Sequence, residues 1–395
     1  MKIMINKKSI MLTLFYILML FSYFQFDSLN YLYTSLLPIY KMFHYISFFI
    51  IVLLFFKNKT MSKIIIYVLI YLFILFISSI INGQQFLQIL NYMMMVMSFC
   101  LITDYGIKNN TKEYLYAISI FLNFMVIINF ITILLYPNGM YINSTLYKQN
   151  WIFGYKNAHI LYLLPCVAVN AIRSLKFIGH LDYKFYLIFF ISFLSIVIVN
   201  SSTGIVGLSI ILIYLVFKKL LDKVNLINSY SSMGLYLLSF VSIMILKIQN
   251  LFKFLIVDIL KKDLTFTGRT YIWDSVLKSI KSHPLLGYGN VTFQYNKYIF
   301  TTHNTILDIL YKTGIAGFTL YFLIIFETCK ALYACKQNKI SKFLSIILLS
   351  YFVIMLTEAY TINYYFFVLV ICCNIKYLRR SEDDEWFNKY CYTNL

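Results

Sequence analysis

Two side chains within one polar stretch of this sequence are suited to chemistry on an anionic ligand. Arg269 carries a planar guanidinium, which donates parallel hydrogen bonds to phosphate oxygens, and His303 carries an imidazole that binds a proton near neutral pH. Thr302, His303 and Asn304 precede an apolar helical pattern, so His303 is expected at a helix N-terminus, which attracts anions and favours the neutral imidazole. Taken alone, each residue also has a structural interpretation, Arg269 as an interfacial anchor and His303 as a helix cap.

The surrounding stretch, residues 250–303, is predicted to contain the amphipathic helix that positions Arg269. Its apolar side chains share one helical face: Ile272, Trp273, Val276, Leu277 and Ile280. We expect this helix to lie on the membrane and to end at Pro284. Gly287-Tyr288-Gly289 then forms a flexible turn at which a backbone approaches a ligand closely, and a second helix runs from His303 to Gly314.

The composition of the whole chain places most of it in lipid. Of its 395 residues, 61% are hydrophobic and only 12% are charged, which would expose large apolar patches on a soluble domain. Apolar runs of about 17 to 22 residues recur, each long enough to cross a hydrocarbon core as a helix. We therefore predict an all-α integral membrane protein of about twelve transmembrane helices. The predicted spans are 10–26, 39–56, 64–81, 86–102, 114–136, 158–173, 185–201, 204–217, 232–249, 314–330, 343–359 and 363–378.

The net charge of +19 is explained by membrane orientation rather than by binding of nucleic acid. Lys and Arg cluster in alternate loops, as in residues 57–63 and 218–223, which predicts both termini in the cytoplasm of a multi-pass protein of the inner or plasma membrane. The predicted divisions are transmembrane helices in residues 1–249, a large extracytoplasmic catalytic loop in residues 250–313, transmembrane helices in residues 314–378 and a cytoplasmic tail in residues 379–395.

Four pieces of the polar stretch, taken in their order and spacing, resemble the bacterial O-antigen ligase and polysaccharide polymerase (Wzy-type) family. These pieces are residues 267–273 (Thr-Gly-Arg-Thr-Tyr-Ile-Trp), residues 283–289 (His-Pro-Leu-Leu-Gly-Tyr-Gly), His303-Asn304 and Gly314-Ile315-Ala316-Gly317. Upstream, Gly154-Tyr155-Lys156-Asn157 resembles the Gly-x-Lys-Asn stretch of that family, and residues 200–204 (Asn-Ser-Ser-Thr-Gly) resemble its short outer Ser-rich turn. The resemblance covers roughly residues 150 to 320, and the remainder matches only in hydropathy.

The resemblance implies a GT-C-like membrane glycosyltransferase whose donor is an undecaprenyl-diphosphate-linked oligosaccharide on the outer face of the membrane. It implies no metal or other cofactor, and Asp258, Asp263 and Asp274 are too scattered to form a carboxylate cluster. His303 would position or deprotonate the attacking hydroxyl, and Arg269 would bind the diphosphate as a second catalytic residue. The implied substrate-binding residues are Arg269, Lys156, Asn157, Asn304, Trp273 and Tyr288, the last two by stacking on sugar unless they hold the loop to lipid.

The acceptor decides between two enzymes of this family. Several of the ligases carry an arginine in the Ser-rich turn, where this chain has Ser202, and this departure favours a polymerase of repeat units for capsular polysaccharide, exopolysaccharide or O-antigen. A ligase that transfers the glycan to another acceptor stays open. A transporter or flippase is the alternative from another class, although the charge here is gathered in one loop rather than at mid-membrane. Expected partners are the lipid-linked donor, membrane lipid and other assembly proteins, such as a flippase or a chain-length regulator.

Overall fold

The computed structural model describes residues 7–58, 61–143, 149–224, 228–247, 269–295, 298–360 and 362–379. The first half consists of helices α1 to α7, with one small hairpin of strands β1 and β2 before α6. Their bounds are α1 Lys7–Phe21, α2 Leu37–Asn58, α3 Lys63–Ile81, α4 Phe86–Asn109, α5 Thr111–Leu135, β1 Asn150–Trp151, β2 Gly154–Tyr155, α6 Ile160–Phe177 and α7 Tyr183–Ile198.

The second half continues with helices α8 to α15 and a second hairpin, formed by strands β3 and β4. Their bounds are α8 Ser202–Val216, α9 Lys218–Val224, α10 Ser229–Phe240, α11 Arg269–Ser282, β3 Phe293–Tyr295, β4 Tyr298–Phe300, α12 Thr305–Ala334, α13 Lys339–Met355, α14 Ile362–Cys373 and α15 Ile375–Leu378. Both hairpins are antiparallel and short, so the described chain is mostly helical, as predicted.

Within the described residues, six helices are long and apolar enough to cross a membrane. They are Thr34–Asn58, Lys63–Ile81, Phe86–Asn109, Thr111–Leu135, Lys156–Phe177 and Thr305–Ala334. Four further apolar helices are shorter: Tyr183–Ile198, Ser202–Val216, Ser229–Ile245 and Tyr364–Cys373. Large apolar side chains on the outer faces of the helices, such as Phe56 and Leu87, stay exposed. Because no soluble surface would carry so many of them, the predicted class of helical membrane protein agrees with the structure.

α14 lies at the centre of the helical bundle. Every side chain from Phe366 to Cys372 is fully buried, and Phe367 stacks on Phe99 of α4 with ring centres 4.6 Å apart. Before this helix, the chain from Leu356 to Tyr360 leaves α13 without regular structure. The short segment 356–360 is thereby held in the middle of one end of the bundle, where it meets the loops that carry the predicted site.

Two of the four segments that resemble the ligase and polymerase family pack against each other. α12 is interrupted at Gly314, which has a φ of 61°, so the helix that starts after Asn304 breaks where the sequence predicted its end and then resumes. The turn at Gly287 to Gly289 packs against this break: the N–H groups of Tyr288 and Gly289 donate to the carbonyls of Tyr311 and Lys312, each at 2.8 Å. A Cβ at Gly287 would collide with the Tyr311 carbonyl. The close approach that this turn permits is therefore to α12 rather than to a ligand.

Candidate functional site

A cavity of about 630 Å³ opens where four separate loops meet segment 356–360. It brings together four residues that the sequence predicted for the site, Lys156, Asn157, Arg269 and His303. Its polar lining residues come from the single 3₁₀ turn that follows β2, the start of α8, the start of α11, the segment before α12 and segment 356–360: Lys156, Asn157, Ser202, Thr203, Arg269, His303 and Thr357.

Arg269 is the first residue of α11, and its guanidinium is held at the cavity wall by segment 356–360. One terminal nitrogen donates to the carbonyl oxygen of Thr357, and the other donates to Oε1 of Glu358 at 2.9 Å. The side chain of Arg269 is 18% exposed and that of Glu358 is 10% exposed. A guanidinium has five N–H donors in a fixed plane, so this orientation leaves donors for a ligand in the cavity.

Glu358 lies directly behind the cavity and joins its parts. Besides Arg269, its Oε1 accepts hydrogen bonds from Nδ2 of Asn157 at 2.8 Å and from the Thr203 hydroxyl at 3.4 Å, while Oε2 lies 3.5 Å from Nδ1 of His303. Burial raises the pKa of this carboxyl, but the contact with His303 and the charge of Arg269 outweigh it and hold the pKa below its ordinary value. Glu358 is therefore a buried carboxylate at neutral pH.

Glu358 was not among the residues predicted for the site, since it falls within the predicted span 343–359. In the structure, α13 ends at Met355, so Glu358 belongs to the segment that leaves the helix. The one signal available in the sequence was a single acidic residue in the otherwise apolar stretch from residue 343 to 375. A charged group in such a stretch is expensive unless it is paired.

His303 faces Glu358 on one side and Thr301 on the other. Its Nε2 lies 2.8 Å from the Thr301 hydroxyl, and its Nδ1 points to Glu358. Nδ1 lies within ion-pair distance of the carboxylate without a formed hydrogen bond, and a tautomer that carries its proton on Nδ1 and accepts from Thr301 at Nε2 is compatible with both neighbours. In that tautomer Nε2 is the basic nitrogen. The backbone of His303 has a φ of 49°, a costly conformation for a residue with a Cβ that the surrounding contacts must hold.

The interpretation of His303 as a helix cap is wrong, because Asn304 caps α12. Oδ1 of Asn304 accepts from the Leu307 N–H at 3.0 Å, and its Nδ2 donates to the Leu356 carbonyl at 3.0 Å. Asn304 is fully buried and does not line the cavity, so its side chain ties the start of α12 to segment 356–360. His303 precedes the cap by one residue and is free to point at Glu358.

Lys156 and Asn157 reach the cavity from the 3₁₀ turn Lys156–Ala158, which follows β2. Nζ of Lys156 lies 5.9 Å from the centre of the Tyr155 ring, and no ion pair with a described residue engages it. Asn157 donates to Glu358, and its Oδ1 accepts from the Ser201 hydroxyl at 3.0 Å. Asn157 therefore organises the carboxylate, whereas Lys156 adds positive charge to the cavity.

Trp273 and Tyr288, which were expected to touch sugar or lipid, lie elsewhere. Trp273 is 3% exposed and belongs to the buried core beneath α11, so this helix is anchored to the protein through its indole. The ring of Tyr288 stacks on Tyr311 with centres 4.7 Å apart, and its hydroxyl donates to the Ser279 carbonyl at 3.1 Å. Neither side chain lines the cavity, and Tyr288 joins α11 to α12.

Comparisons with known proteins bear on the same region. Residues 187–322 match the family model described as O-antigen ligase (Wzy_C). The matched range contains Ser202, Thr203, Arg269 and His303, while Lys156 and Glu358 lie outside it. No curated protein and no solved structure matches the chain. Residues 187–322 are thus similar to the O-antigen ligase (Wzy_C) family, in agreement with the Wzy-type ligase and polymerase family that the sequence motifs resemble.

Proposed function

We propose that this chain is a membrane glycosyltransferase that polymerises undecaprenyl-diphosphate-linked oligosaccharide repeat units. The observation that carries the proposal is the meeting of Arg269, Lys156 and His303 on one cavity, with Glu358 behind them. The family match supports an activity of the ligase or polymerase type on a lipid-linked polysaccharide. A site for such a donor needs cations for a diphosphate and a base for a sugar hydroxyl, and this cavity offers both.

The cations of the cavity are suited to the diphosphate of the donor. Arg269 and Lys156 supply two positive charges against the single carboxylate of Glu358, so the site with neutral His303 keeps a net positive charge. Because Glu358 and the Thr357 carbonyl fix the guanidinium plane, Arg269 meets phosphate oxygens without first losing side-chain freedom. Positive charge already in place stabilises the negative charge that develops as the diphosphate departs.

His303 is suited to the other half of the reaction. Its Nε2 takes the proton from a hydroxyl of the acceptor sugar as that oxygen attacks the anomeric carbon of the donor. The new glycosidic bond forms as the bond from this carbon to the diphosphate oxygen breaks, and undecaprenyl diphosphate leaves with the bonding electrons. The imidazolium that results is stabilised by Glu358, whose Oε2 faces Nδ1.

The Ser-rich turn favours polymerase over ligase. Ser202 and Thr203 line the cavity, so an arginine of the kind that several ligases carry in this turn would add a third cation there. This chain has hydroxyls at that place, and its phosphate site is correspondingly less positive. A ligase that passes the same donor to a different acceptor is the second candidate, since the matched family model is described as O-antigen ligase.

The proposal includes an arrangement in the membrane. About twelve spans in the inner or plasma membrane would place both termini in the cytoplasm and residues 250–313 outside, where a translocated donor is present. Lys184, in the first turn of α7, and Lys278, on α11, would then lie on opposite sides of the membrane. A flippase and a chain-length regulator are the assembly partners that we expect for such an enzyme in the cell.

Purified protein in lipid nanodiscs, given lipid-linked repeat units from cells that lack this gene, tests the proposal directly. We expect a ladder of longer lipid-linked chains and release of undecaprenyl diphosphate, without added sugar nucleotide. A single transfer to a different added acceptor, with no ladder, would identify a ligase. Units that cross the bilayer of proteoliposomes unchanged in length would identify a transporter and end the enzyme proposal.

A further inference from the structure

A second cavity, of about 330 Å³, lies close to His303. Thr301, whose hydroxyl contacts Nε2 of His303, lines this second cavity, whereas His303 lines the first. Ala359 and Tyr360, which follow Glu358, also line it. The hydroxyl of Tyr360 donates to the Asn157 carbonyl at 2.9 Å, so this side chain reaches from the second cavity to the first.

The lining of the second cavity is of a different chemical kind. Asp308 and Lys312, one turn apart on α12, form an ion pair of 2.7 Å, with side chains 15% and 26% exposed. Tyr71 of α3 and Tyr92 of α4 complete one wall, and Asn290 adds an amide. Since the lysine charge is matched by the aspartate, these lining residues offer hydrogen bonds and aromatic surface without net charge. A neutral, hydroxyl-rich ligand fits such a lining better than a diphosphate does.

The two nitrogens of the His303 imidazole contact different groups. Its Nδ1 lies 3.5 Å from Oε2 of Glu358, while its Nε2 contacts Thr301, a residue that lines the second cavity. The nitrogen that accepts a proton in this tautomer therefore lies beside Thr301, at the edge of the cavity that Asp308 and Lys312 also line. A ligand bound in the second cavity could therefore place one of its hydroxyls at Nε2, in the position that the Thr301 hydroxyl now occupies.

We propose that the second cavity binds the terminal sugar of the acceptor and presents one of its hydroxyls to His303. This inference rests on the proposed function, and it assigns the diphosphate of the donor to the first cavity. Asp308 accepts hydrogen bonds from sugar hydroxyls and Lys312 donates to them, while Tyr92 offers its ring to the apolar face of the sugar. Asp308 is thus a residue of acceptor binding in addition to its favourable place in the first turn of α12.

Asp308→Asn is the informative variant, because it keeps the shape of the side chain and removes its charge. Asp274→Asn is the matched control: Asp274 lies on α11 in a half-exposed ion pair with Lys247 and lines neither cavity. Two probes would be titrated into the purified full-length protein. One is undecaprenyl diphosphate, and the other is the phosphate-free oligosaccharide released from the lipid-linked repeat unit by mild acid.

We expect Asp308→Asn to weaken binding of the oligosaccharide about tenfold or more, since hydrogen bonds to a charged group are lost. Binding of undecaprenyl diphosphate should stay within about twofold, which also shows that the variant is folded. Asp274→Asn should change neither affinity.

Equal losses for both probes would assign Asp308 a structural role and overturn the inference. Unchanged oligosaccharide affinity, or no oligosaccharide binding by the wild-type protein, would overturn it too. These failures differ from failure of the proposed function, in which the wild-type protein neither binds undecaprenyl diphosphate nor lengthens lipid-linked chains.

Discussion

Arg173 and Arg269 each pair with a carboxylate at 2.9 Å, yet the two pairs occupy different kinds of surroundings. Arg173, near the end of α6, meets Asp182, which caps α7 by accepting from the Phe185 N–H and also accepts from the Ser174 hydroxyl. Burial raises the pKa of Asp182, but the hydrogen bonds from Ser174 and Phe185 and the charge of Arg173 hold it below its ordinary value. Every partner of this carboxylate lies within nine residues in sequence.

The Arg269–Glu358 pair joins residues 89 positions apart and borders a large cavity. Exposure does not separate the pairs, since the Arg173 and Asp182 side chains are 11% and 9% exposed. The two pairs differ in what else the carboxylate contacts. Asp182 caps a helix, whereas Glu358 also contacts His303, whose other nitrogen meets only the Thr301 hydroxyl among the described residues. A buried Arg–carboxylate pair therefore points to function when its partners come from distant segments and border a cavity.

The largest difference that we expect between the Arg173–Asp182 region and the Arg269–Glu358 region is that they lie on opposite sides of the membrane. In a variant without its native cysteines, Lys278→Cys on α11 should react with an impermeant maleimide in intact cells. Lys184→Cys, beside Asp182, should react only after lysis. Both lysines are exposed in the structure, so poor access within the fold does not explain a difference. Protection of Lys278→Cys until lysis would reverse the proposed orientation.

His303→Asn should lower turnover by about 10²- to 10⁴-fold, the usual contribution of a general base. Asparagine tolerates the left-handed backbone at this position, so the variant should fold. Binding of undecaprenyl diphosphate through Arg269 should persist, and chain lengthening should fail. Wild-type chain lengths would remove His303 from the chemistry.

Arg269→Lys should reduce activity by about 100- to 1000-fold, because a point charge does not reproduce a planar donor that is held by Glu358 and faces phosphate oxygens. Arg173→Lys is the matched control, with the same change in the other pair, and should keep activity within about twofold. Polymer yield per unit of purified protein measures both. Equal losses in the two variants would show that both arginines act through stability.

The smallest expected effect is on thermal stability. Glu358→Gln should lower the melting temperature by an amount that depends on pH. The pKa of Glu358 is lowered in the folded protein, so ionisation stabilises the fold above the ordinary glutamate value of about 4.3 and this stabilisation is lost as pH falls through the lower folded value. The melting temperature of the wild-type protein should exceed that of Glu358→Gln by a few degrees from pH 8 to about pH 5, with the gap closing in acid.

Asp182→Asn should show the same pH trend in melting temperature, because the pKa of Asp182 is lowered too. Only Glu358→Gln should also slow polymerisation, since His303 loses the carboxylate that orients it. A melting-temperature gap for Glu358→Gln that widens in acid would contradict the assigned ionisation.

Local patterns predicted several elements correctly. α11 occupies the predicted amphipathic stretch and ends at Ser282, two residues before Pro284, and α12 breaks at Gly314. Helical periodicity, a proline and a glycine act within a few residues of themselves, so a sequence is enough to place them. The same patterns misplaced Trp273 and Tyr288. Helical periodicity identifies an apolar face, but it does not show whether that face contacts lipid, sugar or protein.

The amino-acid sequence by itself determined that this chain forms apolar helices for a membrane, and that one polar stretch carries Arg269 and His303 at the ends of two helices. Only the tertiary structure decided that Glu358 joins these residues to Asn157, that Asn304 rather than His303 caps α12, and that Nε2 of His303 contacts Thr301 at the edge of a second cavity. The physical reason is distance along the chain. Packing of α14 places segment 356–360 against loops that are far from it in sequence, and no local pattern records which of them it will meet.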